Sequence, residues 1–278
     1  AMAKPSVLIV VGQVLGEPWL DIATRGQLRT WVPEAEDHGL RVRHSYGRPP
    51  GRVLQRVDAL HEWARWTHWG RRWVPRLDAT WGSLLLNWRQ EVAVDEFDGP
   101  DNVGWRQSLP DLYMFQRWKV LGSLSQSLLE DFDFVYFTTA SSYVHPSALI
   151  EFAYSLPRSQ CYAGTAMVDH GTGLVFGSGA NRFLSRDVVE MVLSHRDWYR
   201  NDVMEDVGLG RAVKKLGINL IPAPSMNIGS MNELASLSDA AIGKHFHFRL
   251  KSGTSQQRND VELMHALHRR LSTELPDA

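Results

Sequence analysis

Residues 134–146 read FVYFTTASSYVHP. Together with the two residues before it, the segment reads over 132–138 as a strand rich in aromatic residues. The run ends in small hydroxyl residues and restarts at Pro146, which fits the first turn of a helix. A strand that passes into a helix through a short polar loop is the building unit of an α/β fold. In such folds ligands bind beyond the C-terminal strand ends. Thr138, Thr139, Ser141 and Ser142 therefore stand where a ligand is expected, with hydroxyls to offer it and little bulk to keep it away.

The rest of the chain extends that pattern in both directions. Residues 7–11 (VLIVV) form a second apolar run, closed by Gly12. Residues 40–45, 91–97, 174–177 and 218–221 read as further strands, and 245–250 as an extended segment. The sequence GRPPG at 47–51 reads as a turn. Residues 111–130 place Leu112, Phe115, Trp118, Leu121, Leu124 and Leu128 at helical spacing. Helices are also predicted over 146–156, 185–195 with Ser185 as the cap, 206–217 closed by Gly217, and 261–271. Strands alternate with helices and no linker is evident. The expectation is one α/β domain over 4–278, with a mostly parallel central sheet flanked by helices.

Composition narrows the function. The chain has 278 residues, of which 44% are hydrophobic, enough for a substantial core. Lys plus Arg total 30 against 31 for Asp plus Glu, so no bulk charge calls for a polyanionic or polycationic partner. A single cysteine, Cys161, excludes an internal disulfide framework and a multi-cysteine metal site. No apolar run is long enough to span a bilayer and no secretory leader is recognisable, so the expected location is the cytoplasm.

One stretch is unusual. Between Arg41 and Arg76 stand nine arginines and two acids, Asp58 and Glu62, with Trp63, Trp66, Trp69 and Trp73 three or four apart. Helical spacing favours a Trp stripe packed on the sheet under a cover of Arg. The other reading is a basic, aromatic surface for a sugar or a nucleic acid strand. His61-Glu62 is followed by Arg65, so a zinc-protease helix is excluded. His265 and His268 fit a solvated helix face.

Three more segments carry chemistry. GLVFGSGANRFLSRDV at 173–188 puts small residues, Ser178, Gly179 and Ala180, beside Asn181 in an expected strand-to-helix loop, where a backbone can approach a substrate. MEDVGLG at 204–210 sets Glu205 and Asp206 at a helix start. They cap the helix dipole, or one of them serves as a general base. KHFHFRLK at 244–251 alternates, so that His245, His247, Arg249 and Lys251 share one strand face. That face suits a diphosphate or a metal with a diphosphate; the alternative is the solvent face of an amphipathic strand.

In this order the segments resemble GT-A glycosyltransferases of the β-1,3-galactosyltransferase and Fringe group. RGQLRTW at 25–31 is similar to the family's R-x-x-I-R-x-T-W, one residue shorter. DLYMFQRWK keeps Asp111, Tyr113 and Lys119 of D-S-Y-x-N-L-T-x-K. Residues 134–145 align without a gap to F-V-x-K-x-D-D-D-x-F-V-N, 176–187 to Y-x-S-G-x-x-Y-x-L-S-x-D, and 205–210 to E-D-V-x-x-G, with K-L-G-I following in both. The family's three metal-binding aspartates fall on Thr139, Ala140 and Ser141, where no carboxylate remains, and hydroxyls are poor ligands for Mg²⁺ or Mn²⁺. Residues 41–88 have no family counterpart and read as a basic, Trp-rich insertion.

The resemblance implies an inverting glycosyltransferase that takes a sugar from a nucleotide donor, a UDP-sugar by family habit, to an acceptor hydroxyl on a glycan, a protein or a modified nucleic acid. It implies Asp206 as the base, beside Glu205. Thr138, Thr139, Ser141, Ser142, Arg249 and Lys251 would meet the donor. Ser178, Gly179, Ala180 and Asn181 would line the sugar or acceptor pocket. His245 and His247 are the remaining metal candidates for Mn²⁺ or Mg²⁺; otherwise they join Arg249 and Lys251 as fixed charge in the metal's place. Two rival functions are an inactive relative that binds glycans or nucleotides, and a transferase acting on modified bases of DNA, as in phages.

Overall fold

The computed structural model describes residues 3–48, 51–67, 94–99, 102–112, 115–199, 204–250 and 258–272. Eleven strands are described: β1 (Val7–Val14), β2 (Arg41–Arg48), β3 (Val94–Gly99), β4 (Asn102–Pro110), β5 (Phe134–Thr139), β6 (Ser142–Val144), β7 (Tyr162–Asp169), β8 (Leu174–Ser185), β9 (Leu220–Pro222), β10 (Ser225–Asn227) and β11 (His247–Arg249). Eight form one sheet in the order β3-β4-β2-β1-β5-β8-β7-β9. Only β3 and β8 run against the other six, so the sheet is mostly parallel, as expected. The remaining three make a small sheet in the order β10-β11-β6.

Period-two alternation along β1 explains the layering. Val7, Ile9 and Val11 face one cluster, shared with the Pro146–Ser155 and Asp260–Ser272 helices and the small sheet. Leu8 and Val10 face the other, shared with the Gln116–Ser127, Arg186–Ser194 and Glu205–Lys215 helices. A strand buried on both faces has to be apolar throughout, which is why 7–11 reads as an unbroken run. Each such side chain contributes roughly 1.5–3 kcal/mol on burial. No helix among the described residues is long and apolar enough to cross a membrane.

Several expectations need correction. Residues 177–180 are not a strand-to-helix loop: they lie within β8, which runs from Leu174 to Ser185. The Gly177 N–H donates to the Tyr162 hydroxyl at 2.8 Å, and the register shifts between Gly164 and Ala166, so a bulge carries the strand through its small residues. The expected helix over 111–130 is shorter, Gln116–Ser127. Ser185 precedes its helix without capping it: its hydroxyl accepts the Cys161 N–H and donates to Asp187. Residues 41–48, within the Arg- and Trp-rich stretch, form β2 between β4 and β1. On the following helix, Arg52–Trp66, Trp63 is 68% exposed and Val53, Val57 and Leu60 are exposed with it, so Trp63 is not packed away from water. Trp69, Trp73 and Trp88 lie outside the described residues. His268 is not on a solvated face but meets the Tyr143 hydroxyl at 3.0 Å.

Candidate active site

A cleft of about 420 Å³ opens at the C-terminal ends of β1 and β5, within the range of small-molecule sites. Gly12, Gln13, Thr138 and Thr139 form its floor. Asp111 and Lys119 stand on one side, joined by a buried ion pair. Ser178, Gly179, Ala180 and Asp206 stand on the other, and Arg249 joins them from β11. The sheet positions all of these: β1 and β5 pair in parallel with Gly12 opposite Thr139, and β8 runs back beside β5 with Asn181 opposite Thr138.

Glu205 and Asp206 begin the Glu205–Lys215 helix. Asp206 Oδ2 accepts the Gly179 N–H at 3.2 Å, and Oδ1 accepts the N–H of Val207 at 2.9 Å. No ion pair forms at Asp206 among the described residues. Glu205 is tied down: Arg182 Nη1 donates to Oε2 at 3.0 Å, Nη2 to Oε1 at 2.7 Å, and the Tyr199 hydroxyl donates to Oε1.

The hydroxyl loop is divided between the cleft and the interior. Thr138 and Thr139 line the cleft. Ser141 turns inward, where Arg258 Nη2 donates to its Oγ at 2.5 Å. Ser142 is buried, with Oγ 3.2 Å from the Thr139 hydroxyl and 3.1 Å from His247 Nε2. Asn181 is also buried and donates to Thr165 Oγ1 at 2.8 Å, so it leaves Ser178, Gly179 and Ala180 to face the cleft. Lys251 lies outside the described residues.

Of the four residues expected on one strand face, His247 and Arg249 lie in β11. β11 is sandwiched between β10 and β6, so both of its edges are paired. Burial pushes the His247 imidazole down to about 3, with the Arg249 charge adding to the shift, so His247 is neutral. His245 Nδ1 lies 3.0 Å from the Ala241 carbonyl, and His245 is not on the cleft. Arg249 alone of the four is described on the cleft wall, and it makes no ion pair among the described residues.

The residues present do not fit the divalent cation that the resemblance implies. Ala140 has no ligand atom in its side chain. The carbonyls of Thr139 and Ala140 accept the Gln27 amide at 3.1 and 3.0 Å, and Ser141 holds Arg258. Among the described residues no group of three or more His, Cys, Asp or Glu side chains converges.

Sequence reasoning missed Gln27 and Gln13. Gln27 Nε2 is aimed at the carbonyls of Thr139, Ala140 and Ser142, which leaves its Oε1 to accept from Gln13 Nε2 at 2.6 Å and from His44 at 3.2 Å. Burial lowers the His44 imidazole to about 4, so it is a neutral donor here. Arg182 was missed as well, because a lone Arg in a strand carries no pattern.

No protein-family model matches the sequence, and no curated protein matches it. Among solved structures, the chain is similar to a glycosyltransferase involved in the glycosylation of the major capsid of PBCV-1, with 11% identity over 94% of this chain and 100% of that one and a TM-score of 0.45. It is similar to a 4-diphosphocytidyl-2C-methyl-D-erythritol synthase, with 8% identity over 96% and 99% and a TM-score of 0.43. It is also similar to the 2-C-methyl-D-erythritol 4-phosphate cytidylyltransferase of Thermus thermophilus, with 12% identity over 96% and 100% and a TM-score of 0.38.

Proposed function

We propose that the protein is a single-domain inverting glycosyltransferase of the GT-A type that moves a sugar from a nucleotide-sugar donor to an acceptor hydroxyl. The observation that carries this reading is Asp206, the one cleft carboxylate without a cationic partner among the described residues, held by the Gly179 N–H at the mouth of parallel strands. In the proposed reaction Asp206 takes the proton from the acceptor hydroxyl. The acceptor oxygen attacks the sugar C1 opposite the leaving group, and the C1–O bond to the nucleoside diphosphate breaks with its electrons going to the diphosphate. Arg249 meets the charge that develops there, and the Thr139 hydroxyl holds the donor at the strand ends. Ser178, Gly179 and Ala180 line the sugar side. No metal ion takes part in these steps.

The test is a thermal-shift and hydrolysis panel of nucleotide sugars on the wild-type protein and on Asp206→Asn. The expected result is a stabilising, slowly hydrolysed donor, with turnover lost about 10²- to 10⁴-fold in Asp206→Asn while donor binding remains. Undiminished turnover in that variant would remove Asp206 from the role. Binding without hydrolysis or transfer to any acceptor would leave a binding protein.

A nucleic acid acceptor is favoured by one observation. Arg52, Arg56 and Trp63 are exposed on the same helix, offering charge for phosphates and a face for a base. Binding of oligonucleotides that weakens steeply with salt is the expected signature. Salt-independent or absent binding would point to a glycan or protein acceptor.

A further inference from the structure

Glu205 and Asp206 are neighbours on one helical turn, yet their surroundings are opposite. Glu205 lies in a three-part network with Arg182 and Tyr199. The Arg182 side chain is 1% exposed, and its guanidinium lies 5.2 Å from the centre of the Phe137 ring. Tyr199 is fully buried, and burial first, then the Glu205 charge, holds its phenol far above the usual range, so it stays a donor. Taking a guanidinium and a carboxylate out of water costs several kcal/mol per ion, and well-packed apolar side chains of similar size stabilise a fold as well or better. A buried ion pair kept in the wall of the cleft, beside the carboxylate that faces it, therefore points to a role other than stability.

We propose that Arg182 is a positioning residue for Asp206: by pairing with Glu205 it cancels the neighbouring charge and clamps the first helical turn against β8, leaving Asp206 as the one uncompensated cleft carboxylate among the described residues. The inference rests on the reading of Asp206 as the base. The geometry supports both halves of it. Arg182 and Gly179 belong to the same strand, so one segment of β8 holds Glu205 through its guanidinium and Asp206 through a backbone N–H. A Cβ built on Gly179 would lie 3.4 Å from Glu205 Oε2 and 3.7 Å from Asp206 Oδ2, which shows how closely the two carboxylates straddle that residue. Two uncompensated carboxylates so close would raise each other's proton affinity. The other ionisable groups facing this point are Tyr162 from β7, which feels Arg182, Glu205 and Asp206, and Arg249 from β11. The third cleft carboxylate, Asp111, is already paired with Lys119 on the same side of the cleft.

The test needs no substrate, so its outcome is separate from that of the turnover test on Asp206→Asn. Carboxyl ¹³C NMR of the full chain with labelled aspartate would follow the Asp206 titration, assigned by the signal missing in Asp206→Asn. In Arg182→Met the freed Glu205 charge is expected to move the Asp206 midpoint up by about one pH unit, and in Glu205→Gln the freed guanidinium is expected to move it down by a similar amount. The double variant Arg182→Met/Glu205→Gln should return close to wild type. Where Arg182→Met does not fold, Arg182→Lys keeps the charge without the two-pronged contact; it should leave the midpoint in place, and the downward shift in Glu205→Gln then decides. Shifts in the same direction in both single variants, or none in Glu205→Gln, would overturn the proposal.

Discussion

Arg258 donates to the Ser141 hydroxyl at 2.5 Å, so a guanidinium rests against the loop position at which the resembled family carries a metal-binding carboxylate. Arg258 is itself fixed by Asp260 and lies over the Trp19 ring at 4.2 Å. The loop is thus stabilised by a permanent cation from within the protein.

Chelation should therefore matter little. With EDTA present, transfer or donor hydrolysis is expected to change by less than about twofold, because no step draws on an ion whose ligands are hydroxyls and carbonyls already in use. Loss of activity in EDTA that Mn²⁺ restores would contradict this.

Arg249 should carry the leaving-group charge. Arg249→Ala is expected to lower turnover about 10²- to 10³-fold, as removal of one preorganised charge donor does. The melting temperature should barely change, since Arg249 makes no ion pair among the described residues. A turnover loss below tenfold in stopped assays would assign the charge elsewhere.

Two buried histidines make the fold acid-sensitive. The folded-state imidazoles of His44 and His247 are depressed to about 4 and about 3, below the ordinary value of about 6.5. Between those values the unfolded chain binds more protons than the folded one. The stability linked to these groups is therefore complete above about pH 6.5 and is lost as pH falls toward 4 and 3. Each histidine contributes up to about 1.4 kcal/mol per pH unit in that window. Urea unfolding at pH 7, 5.5 and 4.5 should show the decline, and His44→Gln should make it shallower.

Two glycines should respond oppositely to a methyl group. At Gly164 a Cβ would come 2.5 Å from the Asn181 carbonyl oxygen and 3.2 Å from Arg182 Cα, both backbone atoms of β8. Gly164→Ala is expected to destabilise the protein by about 1–3 kcal/mol. At Gly12 the nearest atom is the Thr138 carbonyl oxygen, an ordinary contact at 3.7 Å. Gly12→Ala should fold normally and weaken donor binding, because the methyl projects into the cleft. Chemical denaturation and a thermal-shift titration of the two variants separate these effects.

What the sequence made legible was what depends on local pattern. The apolar runs of β1 and β5 and the helix opening at Glu205 mark their own places, and the hydroxyl loop follows from them. β8 was not legible past Gly177, because small residues signal a loop unless a partner strand with a matching bulge is known. The alternation of 245–250 was visible, but not that β11 lies between two strands, so a face read as cationic holds a neutral His247. Gln27 and Arg182 act over long sequence distances, Gln27 on carbonyls more than a hundred residues away. No periodicity announces such contacts. At Trp63 helical spacing predicts burial, yet the side chain is left exposed.

β6 begins at Ser142, directly after the hydroxyl loop, and pairs with β11 so that Ser142 faces Arg249 across the ladder. The Leu250 N–H adds a bond to the Ser141 carbonyl at 2.8 Å. The loop and the Arg249 backbone are therefore points on one lattice, and the spacing of their Cα atoms is set by strand pairing. Such a frame works as a fixed jaw with one adjustable arm. The backbone does not close around whatever enters; only the Arg249 side chain adapts to the span between a ligand's hydroxyl-bonding and anionic ends, and the rest of the chain loses little freedom on binding.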